Sequence, residues 1–284
     1  MKKYRVYKEK NDFVINDEVR NLTGSRTKRM AFMVKTKEKV IVKYNKYVNC
    51  TELASEKIAY EIAKKLGFDC ARIELAEDIN GDQVILNYYF LKNDDIHNDA
   101  IFYLRKLGND RKDYYTLNKI LNFLKEENDK MIDDFLKIMV FDTLVGEQDR
   151  HEENWGISKD SKGNEQVSPI YDNGCCLLRD QYMNLDTLLN NSEKMQQYIK
   201  RSTTYIYNDE CKRFKHFELI DELLKIFPDK MKKIIQKLTA LTDNTITEIV
   251  EAVPNEYLSE KHKKCIIIFV KQRKEILLSK IEGD

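Results

Sequence analysis

The chain has 284 residues, and its 49 Lys and Arg against 48 Asp and Glu leave a net charge of +1, so no overall field steers it toward nucleic acid or an acidic membrane. With 42% hydrophobic and 10% aromatic residues it has the composition of a folded protein with a substantial core, in one two-lobed unit or two small ones. The longest apolar run, CIIIFV at 265–270, is too short to span a bilayer, the N-terminal MKKYRVYKEKNDF is no secretory signal, and the six cysteines include no Cys-x-x-Cys pair, which together point to reduced thiols in a cytoplasmic protein.

In chain order, NLTGSRTKRMAF presents a turn before a strand. Gly24, the hydroxyls of Thr23, Ser25 and Thr27, and the bases Arg26, Lys28 and Arg29 form either a loop able to cradle phosphates or a solvated basic turn. RMAFMVKT and KVIVKY read as two strands joined by a polar turn at Lys35–Lys39, and Lys43 ends the run KVIVK of the second. A helix follows, with Thr51 suited to its N-cap, Ile58, Ile62 and Leu66 repeating every four residues, and Gly67 suited to its C′ position. Glu56 lies on that helix, within reach of Lys43, with Glu52 as a competitor. ARIELAEDI and DQVILNYYF flank Asn80-Gly81, a strong hairpin signal because both residues tolerate positive φ.

After Leu91 the periodicity is helical. Leu117, Ile120, Leu121 and Leu124 mark one helix; Ile132, Phe135, Leu136, Met139 and Leu144 mark another that ends at Gly146; a third opens at Ser259. The expectation is an α+β protein with a small antiparallel β lobe carrying one helix (residues 1–90) and a larger, mostly helical lobe (91–284), joined near Asn87–Asn93.

The stretch GEQDRHEENWGISKD then EQVSPIYDNGCC gathers acids and amides where a buried helix stops. WGIS and VSPIYD read as a hairpin with KDSKGNEQ at its tip, so Asp172, closing the second strand, returns close to Asn154, which opens the first. Turn chemistry alone accounts for such residues. The alternative is a set of hard oxygens suited to Mg²⁺, with Asn154 and Asp172 holding metal and Asp149 orienting or deprotonating an attacking hydroxyl in phosphoryl transfer.

Taken together, GSRTK, VIVK, SEKIAYEIAKKLGF, DRHEENWGI, PIYDNG and the tail VPNEYLSEKHKKCIIIFVKQRKEILL resemble the HipA-like bacterial serine/threonine kinases, over roughly residues 20–280. The resemblance implies a bilobal protein-kinase-like fold that binds ATP and Mg²⁺ and phosphorylates a protein of unknown identity, with autophosphorylation. It implies Asp149 as catalytic base, Asn154 and Asp172 as metal ligands, Lys43 as the nucleotide-binding lysine and Glu56 as its partner. The loop of Gly24, Ser25 and Lys28 would cover the phosphates, and backbone groups of Asn87–Phe90, Tyr88 and Tyr89 among them, would meet the adenine. With about twenty residues before Gly24, the chain looks like the short, stand-alone type, for which no DNA binding is expected and an antitoxin or host partner cannot be read from the sequence. Type II phosphatidylinositol 4-kinases share the aspartate, asparagine and Asp-Asn-Gly elements, so a lipid kinase is the runner-up, followed by a nucleotide-binding pseudokinase.

In this scheme His151 and Arg150 support the loop by hydrogen bonding, and Glu152 and Glu153 form a solvated turn. Cys175-Cys176 pack as small apolar residues, and Trp155 belongs to the core or to a pocket wall. A phosphate added at Thr23, Ser25 or Thr27 would bring about −1.5 to −2 charge to the place of ATP's own phosphates and inhibit binding.

Overall fold

The computed structural model describes residues 2–16, 27–47, 50–92, 94–179, 181 and 183–282. Six strands near the N-terminus, β1 (Val6–Lys8), β2 (Phe13–Asn16), β3 (Lys28–Met33), β4 (Lys39–Tyr44), β5 (Ile73–Glu77) and β6 (Gln83–Tyr88), form one sheet in the order β1-β5-β6-β4-β3-β2. The predicted antiparallel character holds for every pair except β1 with β5, which run parallel. β1 and β2 are 3 and 4 residues long, too short for alternation to register in the sequence.

Period-two alternation decides what each face of the sheet does. Val40 and Val42 of β4 join Phe13, Ala31, Val84 and Leu86 in a small core on one face. Ile73, Leu75 and Ile85 point the other way, into a large core shared with the helix α1 (Glu52–Leu66). The intervening β4 residues, Ile41 and Lys43, line a cleft. Gly67 closes α1 in the left-handed conformation (φ 66°), as predicted. Thr51 occupies the N-cap position, but its hydroxyl makes no cap bond and donates to the Arg179 carbonyl at 3.5 Å.

The rest of the chain is mostly helical: α2 (Ile101–Leu104), α3 (Arg111–Tyr114), α4 (Leu117–Glu127), α5 (Asp129–Val145), α6 (Leu185–Asn190), α7 (Ser192–Arg201), α8 (His216–Ile226), α9 (Pro228–Gln236), α10 (Asp243–Glu251) and α11 (Glu260–Ser279). α11 opens at Ser259, whose Oγ accepts the His262 N–H at 3.3 Å. α5 carries Phe135, Leu136, Met139, Val140 and Leu144 into the core and stops at Gly146 (φ 69°). Among the described residues no helix is long and apolar enough to cross a membrane.

Two small β units complete the fold. β7 (Ile96–Asp99), β8 (Gly156–Lys159) and β9 (Glu165–Val167) form an antiparallel sheet, and β10 (Thr203–Tyr207) pairs with β11 (Arg213–Lys215). A hairpin follows WGIS, as β8 and β9, but β9 takes Glu165 and Gln166 from the expected tip KDSKGNEQ and only Val167 from VSPIYD, where it stops. Asp172 therefore closes no strand; it stands five residues beyond, in left-handed backbone (φ 55°).

Candidate active site

The alternation of β4 delivers the Lys43 ammonium to the cleft, and α1 presents Glu56 to it. Lys43 Nζ lies 2.9 and 3.2 Å from the two Glu56 oxygens and 3.0 Å from Asp172 Oδ1. The Lys43 and Glu56 side chains are 4% and 1% exposed, so this ion pair sits away from solvent screening. Glu52, the competitor one turn earlier, pairs instead with Arg179. Across the β3–β4 register Lys28 faces Lys43, and both line the cleft. Gly24 and Ser25, with Thr23 and Arg26, lie outside the described residues.

Arg150, and not a strand end, brings the two acidic segments together. Its guanidinium is buried and clamped on Asp142 of α5 at 2.9 and 3.0 Å. Its Nη1 donates to the Asn154 carbonyl at 2.7 Å and the Tyr171 carbonyl at 2.6 Å, and its Nη2 to Asn173 Oδ1 at 2.6 Å. Five donors of one planar group thus fix the end of α5, the 149–154 loop and the 171–173 segment to each other. The loop-supporting role expected of Arg150 holds. His151 also contributes, accepting the Glu153 N–H on Nδ1 at 3.2 Å.

Asp149 is set from beneath by Glu147, whose Oε1 accepts the Asp149 N–H at 2.8 Å. Glu147 is buried, and desolvation pushes its carboxyl up to about 8. Its backbone carbonyl lies 2.7 Å from Nε2 of buried His216, which burial, aided by the charge of Arg273, pushes down to about 3. Asn154 Nδ2 donates to the Asp149 carbonyl at 2.7 Å, which commits the NH₂ end of the amide to the loop and makes Oδ1 the end able to accept or to bind a cation.

Asp149, Asn154, Asp172 and Lys43 line one cleft of about 640 Å³. Tyr88, Tyr89 and the neighbouring Asn87 and Phe90 line it too. Glu56 stands behind Lys43 and does not reach the cavity wall. Among the described residues no three His, Cys, Asp or Glu side chains group to hold a metal alone. One carboxylate and one amide oxygen, completed by phosphate oxygens and water, fit the way Mg²⁺ binds beside a nucleotide.

Several residues depart from the sequence reading. Glu152 is not a solvated turn: it is fully buried, with Oε1 accepting from Arg111 Nε at 2.8 Å and the Tyr114 hydroxyl at 2.7 Å, whereas Glu153 is exposed as expected. Cys176 packs in the core, but Cys175 lines the cleft with Sγ 3.5 Å from Asp149 Oδ2. Burial keeps that thiol protonated by pushing its pKa well up. Trp155 is core, its Nε1 donating to the Tyr115 hydroxyl at 2.8 Å. An aromatic wall went unread: Tyr171 stacks on Phe90 at 5.7 Å, and its hydroxyl donates to Asp99 at 3.1 Å beside His97. β7 is 4 residues long and IHND carries no periodic signal that would have shown it.

Comparison with known proteins bears on the fold and the family. The serine/threonine-protein kinase CtkA of Helicobacter pylori is 28% identical over 162 residues, covering 51% of this chain and 44% of that protein, so the match spans under half of the relative. The crystal structure of the Helicobacter pylori proinflammatory kinase CtkA superposes with a TM-score of 0.80 at 21% identity, over 95% of this chain and 97% of that one. A chain of the Shewanella oneidensis toxin–antitoxin HipA, HipB and operator DNA complex superposes with a TM-score of 0.62 at 15% identity, over 93% of this chain and 67% of that one. These likenesses establish a kinase-like fold. The pattern of the HipA-like C-terminal domain matches residues 20–246, and the chain belongs to that HipA-like family.

Proposed function

We propose that the protein is an ATP- and Mg²⁺-dependent serine/threonine protein kinase. The observation that carries this reading is the buried Lys43–Glu56 pair reaching Asp172 on the wall of the cleft that also holds Asp149 and Asn154. A buried lysine between two carboxylates is expensive to assemble for stability alone, and this set has the parts that phosphoryl transfer requires.

ATP would lie with its adenine against the backbone of Asn87–Phe90 and its phosphates between Lys43 and Lys28. Glu56 fixes the Lys43 ammonium, which would meet the α- and β-phosphates. Asn154 and Asp172 would hold Mg²⁺, which neutralises charge on the phosphate oxygens. Asp149 accepts the proton of the acceptor hydroxyl as its oxygen bonds to the γ-phosphorus and the bond from that phosphorus to the β,γ-bridging oxygen breaks. Arg150 contributes by holding the Asp149–Asn154 loop and the Tyr171–Asn173 segment in fixed relation. Autophosphorylation in the loop containing Thr23, Ser25 and Thr27 would be inhibitory, and intact mass after incubation with ATP measures it. All six cysteines are free, which suits a reducing cytoplasm.

The test is Mg²⁺-dependent transfer from γ-labelled ATP, offered the protein itself, generic protein acceptors and phosphatidylinositol vesicles. Label on protein supports the assignment. Label confined to lipid replaces it with the lipid-kinase reading, and tight ATP binding without any transfer replaces it with a nucleotide-binding interaction module.

A further inference from the structure

Beyond the mouth of the cleft, on the side of His151, two arginines share one aromatic ring. Tyr205 of the β10–β11 ribbon has its ring centroid 5.7 Å from that of His151, which itself lines the cleft. Arg213 lies over the Tyr205 ring at 4.0 Å and Arg111 at 5.3 Å. Stacking of this kind holds a guanidinium by its face and keeps its N–H edges available. The two cations differ in their commitments. Arg111 is tied to the buried Glu152 at 2.8 Å, whereas Arg213 is exposed, has the Tyr207 hydroxyl at 3.4 Å, and among the described residues has no carboxylate within 4.0 Å. Its ribbon neighbours Lys212 and Lys215 are each neutralised, by Glu210 and Glu218. Among the described residues Arg213 is therefore an oriented positive charge without a counter-ion, next to the loop that carries Asp149.

We propose that Arg111, Tyr205 and Arg213 form a ledge that reads an acidic flank of the acceptor protein, carboxylates or phosphates near the hydroxyl delivered to Asp149. The inference rests on the kinase reading for the delivery, though not for the binding. His151 lines the same cleft as Asp149 and its ring meets that of Tyr205, so an acceptor entering on this side would meet the ledge. Paired guanidinium forks match carboxylate and phosphate oxygens bidentately. None of the large hydrophobic side chains of the ribbon is exposed, so the surface favours a polar, anionic segment over a membrane.

The experiment compares two serine peptides that differ only in their flanks, Glu at several positions in one and Gln in the other, with a third carrying phosphoserine in place of Glu to separate the two anions. Each is measured as a ligand by fluorescence anisotropy and as an acceptor by label transfer, with the intact protein, Arg213→Ala and Arg213→Glu. Vesicles containing a phosphatidylinositol phosphate are the further probe. The Glu or phosphoserine peptide should bind at least ~10-fold more tightly than the Gln peptide. The preference should shrink in Arg213→Ala, reverse in Arg213→Glu, and appear in KM with kcat little changed. Equal binding of all three peptides, a preference that survives both substitutions, or binding confined to vesicles overturns the proposal. Acidic preference with no label on any acceptor defeats the kinase reading and leaves the ledge standing; equal labelling of all peptides does the reverse. Arg213 is exposed and makes no ion pair among the described residues, so both variants should lower the melting temperature only by what its stacking on Tyr205 contributes.

Discussion

At the scale of single residues the site depends on buried charges whose partners are fully specified. Arg150 is the clearest case, because removing it leaves Asp142 as an uncompensated buried carboxylate and unties two loops. Arg150→Ala should destabilise the protein by about 3–5 kcal/mol, read as a lowered denaturant midpoint. Arg150→Lys should recover little of this, since one ammonium cannot serve Asp142, the Asn154 and Tyr171 carbonyls and Asn173 from a single point. Lys43→Met keeps the volume and stem of the side chain while leaving Glu56 buried without its cation. It should weaken ATP binding and also lower stability, and recovery of the melting temperature in the double variant with Glu56→Gln would separate the two effects.

At the scale of elements, the local pattern states clearly what a strand or helix presents and much less clearly how loops meet. Lys43 was legible because it closes the apolar run KVIVK of β4, and Glu56 because it lies on the one helix of the small lobe, 13 residues on, and matches the family's glutamate through IAKKLGF downstream. The return of Asp172 toward Asn154 was also legible, but its cause was not. A hairpin was inferred, whereas the bond network of Arg150 does the joining from a position that any loop arginine could occupy in the sequence. The burial of Glu152 was hidden for the same reason, since its partners Arg111 and Tyr114 lie some forty residues upstream. Short strands such as β7, β10 and β11 carry too few residues for a period to emerge. The end of α5 supplies a test at this scale. Gly146 has φ 69°, and a Cβ there would come within 2.6 Å of Phe269 in α11. Gly146→Ala should cost at least about 1 kcal/mol in a denaturation experiment, and should lower kcat as well, because the loop bearing Asp149 begins there.

At the scale of the whole molecule, one large core runs from α1, β5 and β6 through the long helices, so the Lys43 and Asp149 sides of the cleft are held by shared packing. Its pH response follows from two buried groups beneath the 149–154 loop. Glu147 is raised from 4.5 to about 8 in the folded protein. The folded state therefore keeps a proton that the unfolded chain loses, and stability falls as pH rises from about 4.5 through 8. His216 is lowered from 6.5 to about 3, so the stability linked to it is present above 6.5 and is lost as pH falls toward 3. Denaturant midpoints across this range should show Glu147→Gln flattening the alkaline decline and His216→Asn flattening the acid one.

The central claim is that Asp149 receives the proton of an acceptor hydroxyl beside a bound nucleotide. The most direct measurement compares Mg²⁺-dependent γ-phosphate transfer by the intact protein and by Asp149→Asn, with ATP affinity measured on both. The account predicts a loss of about 10²–10⁴-fold in transfer rate with ATP binding little changed. Undiminished transfer by Asp149→Asn would contradict it and move the base elsewhere in the cleft.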